Sequence, residues 1–409
     1  MFNKYFSKLG ETQKNAIFLI ILFGIISLLG DVIYEGARSV NGPYLETLGA
    51  SALIVGLVVG FGEFLGYAIR LLSGYFSDKI KAHWFFTIFG YGLLISVPLL
   101  ALSNYWQFAA IFIVLERIGK GLRSPARDTI LSYATKQVGT GLGFGIAEFL
   151  DQIGAVIGPL VFTFVFISAG PVKTVADYQQ GYSYFWMPFV MLMMVLFFVY
   201  FKVRSPEEFE SSYSKKEESK QIPKVFWTYS LFTFITTVGF VSFAIIGFHL
   251  KVQGILLDAE IPFFYAVAMM IDAIFGLVVG KMYDSFKSKH DNEKSGLLLL
   301  GIVPILTAVL IPLVFSYNFV TVLIGMLLWG IVMGSHETVM KASIADITSI
   351  NKRGTAYGIF SVIYGLALFI GAILAGYLYD ISIFWMILVL VSIEVLGIPV
   401  YFMMKKQIM

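Results

Sequence analysis

The sequence predicts an all-α membrane protein with about twelve transmembrane helices in two related halves. Of its 409 residues, 58% are hydrophobic and only 13% are charged, and the mean hydropathy is +0.83. Such a composition is too apolar for the surface of a soluble protein of this length. Apolar runs of spanning length recur along the chain, and a charged motif at the end of one run is repeated in the second half.

Twelve apolar runs are long enough to cross a bilayer as helices. They are continuous, whereas the strands of a membrane barrel would be about ten residues long with alternating character. A polar segment at 204–224, rich in Ser, Glu and Lys, is predicted to be a solvated linker between halves at 1–203 and 225–409. The runs lie near 15–39, 51–77, 84–102, 106–134, 139–169, 184–202, 225–250, 261–286, 296–316, 319–347, 354–379 and 383–404.

The distribution of Lys and Arg predicts the orientation. If the amino terminus is cytoplasmic, the outside loops hold only Lys173 and Lys251. The first run has no small-residue cleavage site, so we expect a retained first helix. A multi-pass protein of the inner cell membrane, with both termini in the cytoplasm, is therefore expected. The inside loops hold Lys79, Lys81, Lys136, Lys287, Lys289, Lys352, Arg353, Lys405 and Lys406.

A repeated motif closes the second run of each half. The segment GYFSDKIK, at 74–81, recurs as GKMYDSFK at 280–287. Gly74 and Gly280 would allow close helix approach, and the carboxylates of Asp78 and Asp284 could face a helix amino terminus. We predict that these four residues latch the cytoplasmic side; the alternative is a turn with topogenic lysines.

The fourth run is unusually charged for a membrane span. A charge in the bilayer is costly unless it faces a wet cavity or a partner, so such residues are functional candidates. Arg117 and Lys120 lie deeper and are predicted to face a cavity. Arg123, Arg127 and Asp128 lie lower and are predicted to serve gating or structural ion pairs, although Arg123 is also a candidate for a positively charged cavity wall.

The first run carries Asp31 and Glu35 one turn apart on one face, followed by Arg38. Two carboxylates so placed in a low dielectric oppose each other's ionisation, as a proton-carrying site requires. The alternative is a structural pair between Glu35 and Arg38. Arg38 is also a candidate for the substrate cavity.

Other charges lie in the second, fifth and tenth runs. Glu63, Arg70, Glu148 and Asp151 roughly balance the arginines of the fourth run, and structural pairing is the expected role of Arg70 and Glu148. The tenth run adds two candidates for the substrate cavity. They are His336 and Glu337, with a hydrogen-bonded histidine and a Glu337–Lys341 pair as the alternatives.

The fifth run contains Gly154, Gly158 and Pro159, which predict tight helix contact, a hinge and a role in gating. The chain has no cysteine and only four histidines, without the spacing of a metal site. We expect no cofactor and no enzyme activity. The net charge of +3 gives no support to nucleic-acid binding, and without a nucleotide-binding motif the energy source would be an ion gradient.

These features resemble the major facilitator superfamily. The twelve-span plan, the central linker and the loops beginning at Gly74 and Gly280 are similar to that family's plan and signature loop. Arg117 followed by Gly121 is similar to the arginine motif of proton-coupled members, with Lys120 where many carry glutamine. The glycines of the fifth run are similar to the motif of drug/proton antiporters, without its following paired glycines.

The resemblance implies two pseudo-symmetric six-helix bundles, alternating access, and a cavity lined chiefly by helices one, four, seven and ten. The first hypothesis is a monomeric, proton-coupled exporter of a small organic molecule, in which Asp31 or Glu35 exchanges a proton and Arg117 stabilises the charged form. Uptake or flipping of an anionic metabolite or lipid is one alternative. A non-transporting membrane sensor is another.

Overall fold

The computed structural model describes residues 11–138, 140–170, 173–203, 222–290, 292–348 and 352–409. Within these ranges the chain forms helices and turns and no strand. Eleven helical segments there are long and apolar enough to cross a membrane. A further helix, Trp106–Val138, has the length but carries many charges. The prediction of an all-α membrane protein with twelve spans is confirmed.

The observed spans follow the apolar runs closely because a helix satisfies its own backbone hydrogen bonds in lipid. We name one helix of each span in chain order. They are α1 (Glu11–Arg38), α2 (Ala52–Ile80), α3 (His83–Gly92), α4 (Trp106–Val138), α5 (Thr140–Ser168), α6 (Trp186–Lys202), α7 (Lys224–Gly239), α8 (Glu260–His290), α9 (Val303–Val314), α10 (Phe319–Ile347), α11 (Arg353–Ile381) and α12 (Ile383–Ile408).

Short helical pieces complete several spans. Helical turns extend α3 to Leu102, and a 3-10 segment, Glu293–Ile302, precedes α9. Helix α7 ends at Gly239, and the span continues as a second helix, Phe243–Val252. The apolar run is continuous across this break, so the sequence does not predict it. Of the predicted linker at 204–224, residues 204–221 lie outside the described ranges, and Lys224 begins α7 rather than ending the linker.

Helices α2 and α4 run in the same direction, as alternating spans require. Gly62 of α2 lies beside Arg117, and further along the Ser73 hydroxyl donates a hydrogen bond of 2.8 Å to the Gly121 carbonyl. We call the face where α1 begins and α2 ends the terminal face. The face where α1 ends and α2 begins is the opposite face.

Helices α1 and α5 pack backbone to backbone. A Cβ atom on Gly154 would lie 2.3 Å from the Leu28 carbonyl oxygen, and one on Gly158 would lie 2.4 Å from the Val32 carbonyl oxygen. Both distances are too short for any side chain, so both positions require glycine. The structure therefore accounts for these glycines by close packing; their role in gating, with that of Pro159, remains a prediction.

The two halves meet through α2 and α11 at the opposite face. Gly56 lies against the Ala372 carbonyl and Gly376 against the Ala52 carbonyl, where added Cβ atoms would come within 2.2 and 2.4 Å of the oxygens. The Asp380 carboxylate of α11 accepts hydrogen bonds from the first two amides of α2, at 3.1 and 3.0 Å. This Asp380 cap joins one half to the amino terminus of a helix in the other.

A second polar contact closes the same face. The Tyr178 hydroxyl donates to Asp258 at 3.1 Å, and Lys251 donates to the same oxygen at 2.9 Å and lies 3.9 Å from Glu46. Burial raises the pKa of Glu46, an effect that Lys251 opposes and Asp258 reinforces. A raised pKa means that the closed face binds a proton more tightly than an exposed carboxylate does.

We therefore expect acid to favour closure of the opposite face. The stabilisation of the closed face by protonated Glu46 should be fully present below the ordinary glutamate pKa. It should be lost as the pH rises through the raised pKa that Glu46 has in the closed face. The chain has no cysteine, so a single Ala52→Cys variant can report the opening. Thiol labelling, normalised to the unfolded protein at each pH, should slow on acidification. The same pH dependence in an added Glu46→Gln variant would contradict the assignment.

Candidate functional site

Two cavities lie between the halves. The larger, of about 850 Å³, reaches Asp78 and Gly354 at the terminal face. The smaller, of about 70 Å³, lies deeper, between Tyr34, Trp329 and Ala372. The cavities share a wall that includes Arg38, Tyr67, Arg70, Lys120, Met333, Glu337 and Tyr364.

The helices around the cavities differ in part from those that the resemblance implied. Helices α1, α4 and α10 border the larger cavity as expected, together with α2, α3, α5, α8 and α11. The seventh span borders the smaller cavity as expected, through Phe240, Ser242, Phe243 and Ala244 at and after its break; its first helix, α7, lies on neither wall.

Glu35 bridges the two halves. Its carboxylate accepts a short hydrogen bond from Tyr265 of α8 and lies 3.4 Å from the Arg38 guanidinium. Arg38 also lies 3.9 Å from Glu63. The structural pair that the sequence left as an alternative is therefore present. Glu35 nevertheless lines the larger cavity, as does Arg38.

Asp31 faces a second acid from the neighbouring helix. It lines the larger cavity with Asp151 of α5, and the two carboxyl groups interact electrostatically. Two carboxyl groups placed together in a low dielectric oppose each other's ionisation, which favours a proton on one of them. The arrangement can therefore hold a proton beside a cavity that is open at the terminal face.

Arg117 is enclosed in ion pairs. Its side chain is 2% exposed, with Nη1 3.3 Å from Glu63 and Nε 3.5 Å from Glu116. The Tyr34 ring lies under its guanidinium at 4.4 Å. Arg123 shares Glu116 at 4.0 Å. The two arginines contribute charge and structure to the walls rather than an open binding surface.

Arg70 and Lys120 differ from these arginines. Lys120 Nζ lies 3.6 Å from the centre of the Tyr34 ring, and the Arg70 guanidinium lies 4.6 Å from the centre of the Tyr67 ring. Among the described residues, neither cation has a carboxylate within ion-pair distance. The structural pairing expected for Arg70 is thus wrong for this conformation, because the acids near it pair with Arg38 and Arg117.

The predicted latch residues lie near the terminal face. The Asp78 side chain is 69% exposed at the mouth of the larger cavity, 3.9 Å from His83, and Gly74 packs beside Pro125. Asp284 is also exposed. In this conformation neither aspartate caps a helix among the described residues, because the halves are apart at this face.

Other members of the predicted gating set pack within one half. Arg127 pairs with Asp128 at 2.9 Å and donates to Ser27 of α1 at 3.0 Å. Gly280 lies beside Thr338 of α10. In the second repeat copy the ion pair is made by Lys287, which lies 2.6 Å from Asp346.

The two candidates of α10 separate in the structure. Glu337 lines both cavities, as predicted for a cavity residue. His336 is buried and packs against Phe240, with ring centroids 6.1 Å apart, outside both walls. Its prediction as a cavity residue is therefore corrected: neighbours on a helix point about 100° apart, and Glu337 occupies the direction of the cavity.

The profile of the Major Facilitator Superfamily matches residues 16–334 and 289–407. The chain belongs to this superfamily. An uncharacterized protein of Mycobacterium tuberculosis is 35% identical, over 98% of this chain and 96% of that protein. An uncharacterized MFS-type transporter of Methanocaldococcus jannaschii is 29% identical, over 91% of this chain and 90% of that one.

Solved superfamily structures share the fold. A bacterial homologue of the human lysosomal transporter Spinster, inward-facing and occupied, has a TM-score of 0.74 at 14% identity, covering 97% of this chain and 98% of that one. The nucleoside transporter NupG has a TM-score of 0.70 at 12% identity, covering 95% and 99%. This superfamily member is a secondary transporter and not an enzyme.

Proposed function

We propose that this transporter exports a small organic molecule carrying a positive group in exchange for protons. The observation that carries the proposal is the placement of two acids, Asp31 of α1 and Asp151 of α5, on the wall of the larger cavity, where their charges interact. A carboxyl pair that keeps one proton can release it when a cation arrives, because the cation stabilises the doubly ionised pair. Arg117 assists by holding nearby acids in their ionised form.

The charge of the larger cavity supports exchange rather than cotransport for a cationic group. Eight acids and five basic side chains line it. A proton and an organic cation then compete for the same carboxylates, and competition for one site on alternating sides produces antiport. The acids are Asp31, Glu35, Asp78, Asp128, Glu148, Asp151, Asp272 and Glu337; the bases are Arg38, Arg70, Lys120, Arg123 and Arg127.

The lysines and arginines of the loops support the direction of transport. By their distribution we assign the terminal face to the cytoplasm, so the larger cavity would be open for loading from inside the cell. Closure of the halves at the terminal face, through the loops of Asp78 and Asp284, would then expose the substrate on the other side.

The test is proton movement in liposomes that hold purified protein and a pH-sensitive dye. A panel of organic cations added outside should raise the internal pH if cations enter in exchange for protons. We expect Asp31→Asn to lower this flux to that of protein-free liposomes, because an amide cannot release a proton. The matched variant Asp177→Asn changes a capping carboxylate outside the cavities, where an amide oxygen can still accept the Thr174 hydrogen bond, and should keep the wild-type flux. Wild-type flux in Asp31→Asn would refute the assignment.

A further inference from the structure

Arg70 of α2 and Lys120 of α4 lie on the wall that the two cavities share. We infer that they form an anion subsite for a carboxylate or phosphate group of the substrate. The transported molecule is then a zwitterion, with its anionic end at this subsite and its cationic end toward Asp31. The inference deepens the proposed function. Only the position of the cationic end, near Asp31, rests on that function.

The first argument is the difference between these two cations and their neighbours. Four other basic side chains of the site have carboxylates at 2.9–4.0 Å. Arg70 and Lys120 have none at that distance among the described residues; Lys120 interacts at longer range with Asp31 and Glu35 and then with Arg70. Two like charges facing one cavity without a direct counter-ion are stabilised by any anion that binds between them. The four paired side chains are Arg38, Arg117, Arg123 and Arg127.

The second argument is how the two cations are held. Tyr34 and Tyr67 support Lys120 and Arg70 through their rings. A cation–π contact orients a charged group without cancelling its charge, so both remain available to a ligand. The Arg70 Nε is buried and has no hydrogen-bond partner among the described residues, so one donor of this guanidinium is unsatisfied in the present conformation.

The third argument is that the balance of charged side chains differs between the two cavities. The smaller cavity is lined by Arg38, Arg70, Arg117 and Lys120, against the acids Glu63 and Glu337. The larger cavity has the opposite balance, with acids in excess. A molecule that fills the larger cavity up to the shared wall passes a net excess of acids before it reaches a net excess of bases. Its complementary ligand carries a positive group on the terminal side and a negative group at the deep end.

Inorganic phosphate is the probe for the subsite. Thermal unfolding of the purified protein in detergent is followed by tryptophan fluorescence while phosphate replaces chloride at constant ionic strength. We expect a saturable rise in the unfolding midpoint. Arg70→Gln and Lys120→Gln should each raise the half-saturating phosphate concentration at least about tenfold, since each removes a charge-assisted contact. Each variant is compared with its own phosphate-free midpoint, so lower intrinsic stability does not affect the result.

The matched control is Lys289→Gln, which makes the same charge change at an exposed position. It should bind phosphate like wild type and corrects for general salt effects on stability. If phosphate gives no saturable shift in wild type, or if the shift survives in Arg70→Gln and Lys120→Gln, the anion subsite is refuted.

The zwitterion is tested with phosphoethanolamine against phosphate and ethanolamine. Phosphoethanolamine should half-saturate at a lower concentration than phosphate, and Asp31→Asn should remove this advantage by bringing the two half-saturating concentrations together. Equal affinities in wild type would refute the zwitterion. If instead Asp31→Asn keeps wild-type proton flux in liposomes, the proposed proton site fails while the phosphate result on Arg70 and Lys120 stands independently.

Discussion

Replacing Arg117 by methionine should lower the free energy of unfolding by about 3–5 kcal/mol. The guanidinium is 2% exposed and lies between Glu63 and Glu116. Its removal leaves both carboxylates with less compensation in a buried place, and a methionine of similar length keeps most of the packing. The loss would appear as a lower thermal midpoint and a lower denaturant midpoint in detergent.

The matched variant is Arg127→Met, which removes the same charge from the same helix. Its side chain is 24% exposed and its partner Asp128 is 50% exposed, so the expected loss is about 0–1 kcal/mol. Adding Glu63→Gln to Arg117→Met should recover part of the stability, because Glu63 has lost its nearest cation and Arg38 keeps its pair with Glu35. Equal losses from Arg117→Met and Arg127→Met would show that burial does not govern the energy of these pairs.

Introducing leucine at Gly56 should open the opposite face. A Cβ atom there would lie 2.2 Å from the Ala372 carbonyl oxygen, so α2 and α11 cannot keep their present separation. The conformation with the halves apart at this face is unaffected by the new side chain and becomes the dominant one. The Ala52→Cys reporter, which is fully buried in the closed face, should then react at least about tenfold faster with a thiol reagent.

The control for this variant is Gly92→Leu, where nothing lies within 4 Å of the added Cβ atom. It adds the same side chain to α3 and should leave the labelling rate of Ala52→Cys unchanged. Substrate-driven proton flux should also fall in Gly56→Leu and persist in Gly92→Leu. If both variants label like the parent, the contact between α2 and α11 does not control this face.

The fold could be predicted from the sequence to a large extent because hydropathy in lipid determines where helices form. The apolar runs predicted every span, and the bounds agree within a few residues at most ends. The break of α7 could not be predicted, since Phe240 to Ser242 are as apolar as the flanking turns. Its only local signal is Gly239, and glycine is common in membrane helices.

The candidate site could be predicted only in part. Charges within the spans correctly indicated α1 and α4 as cavity helices, but which charges pair depends on how helices are placed in three dimensions. Arg117 was the expected cavity residue and is enclosed by two acids, whereas Arg70 was expected to be paired and is open to both cavities. Tyr34, which contacts three cations, carries no sequence signal among 22 tyrosines.

The Asp380 cap has a thermodynamic consequence. Asp380 ends α11 and caps the start of α2, while Asp78 lies near the other end of α2 and is predicted to face the start of a helix across the terminal face. Each conformation then gains one helix cap as it loses the other, and a cap is worth about 1 kcal/mol. The exchange of caps by itself therefore favours neither conformation, and the loss of either cap changes the ratio of the two populations by a factor of about five. A substrate that binds one conformation a few kcal/mol more tightly than the other is then sufficient to reverse which side of the membrane the cavity faces. Even a weakly bound substrate can supply this difference.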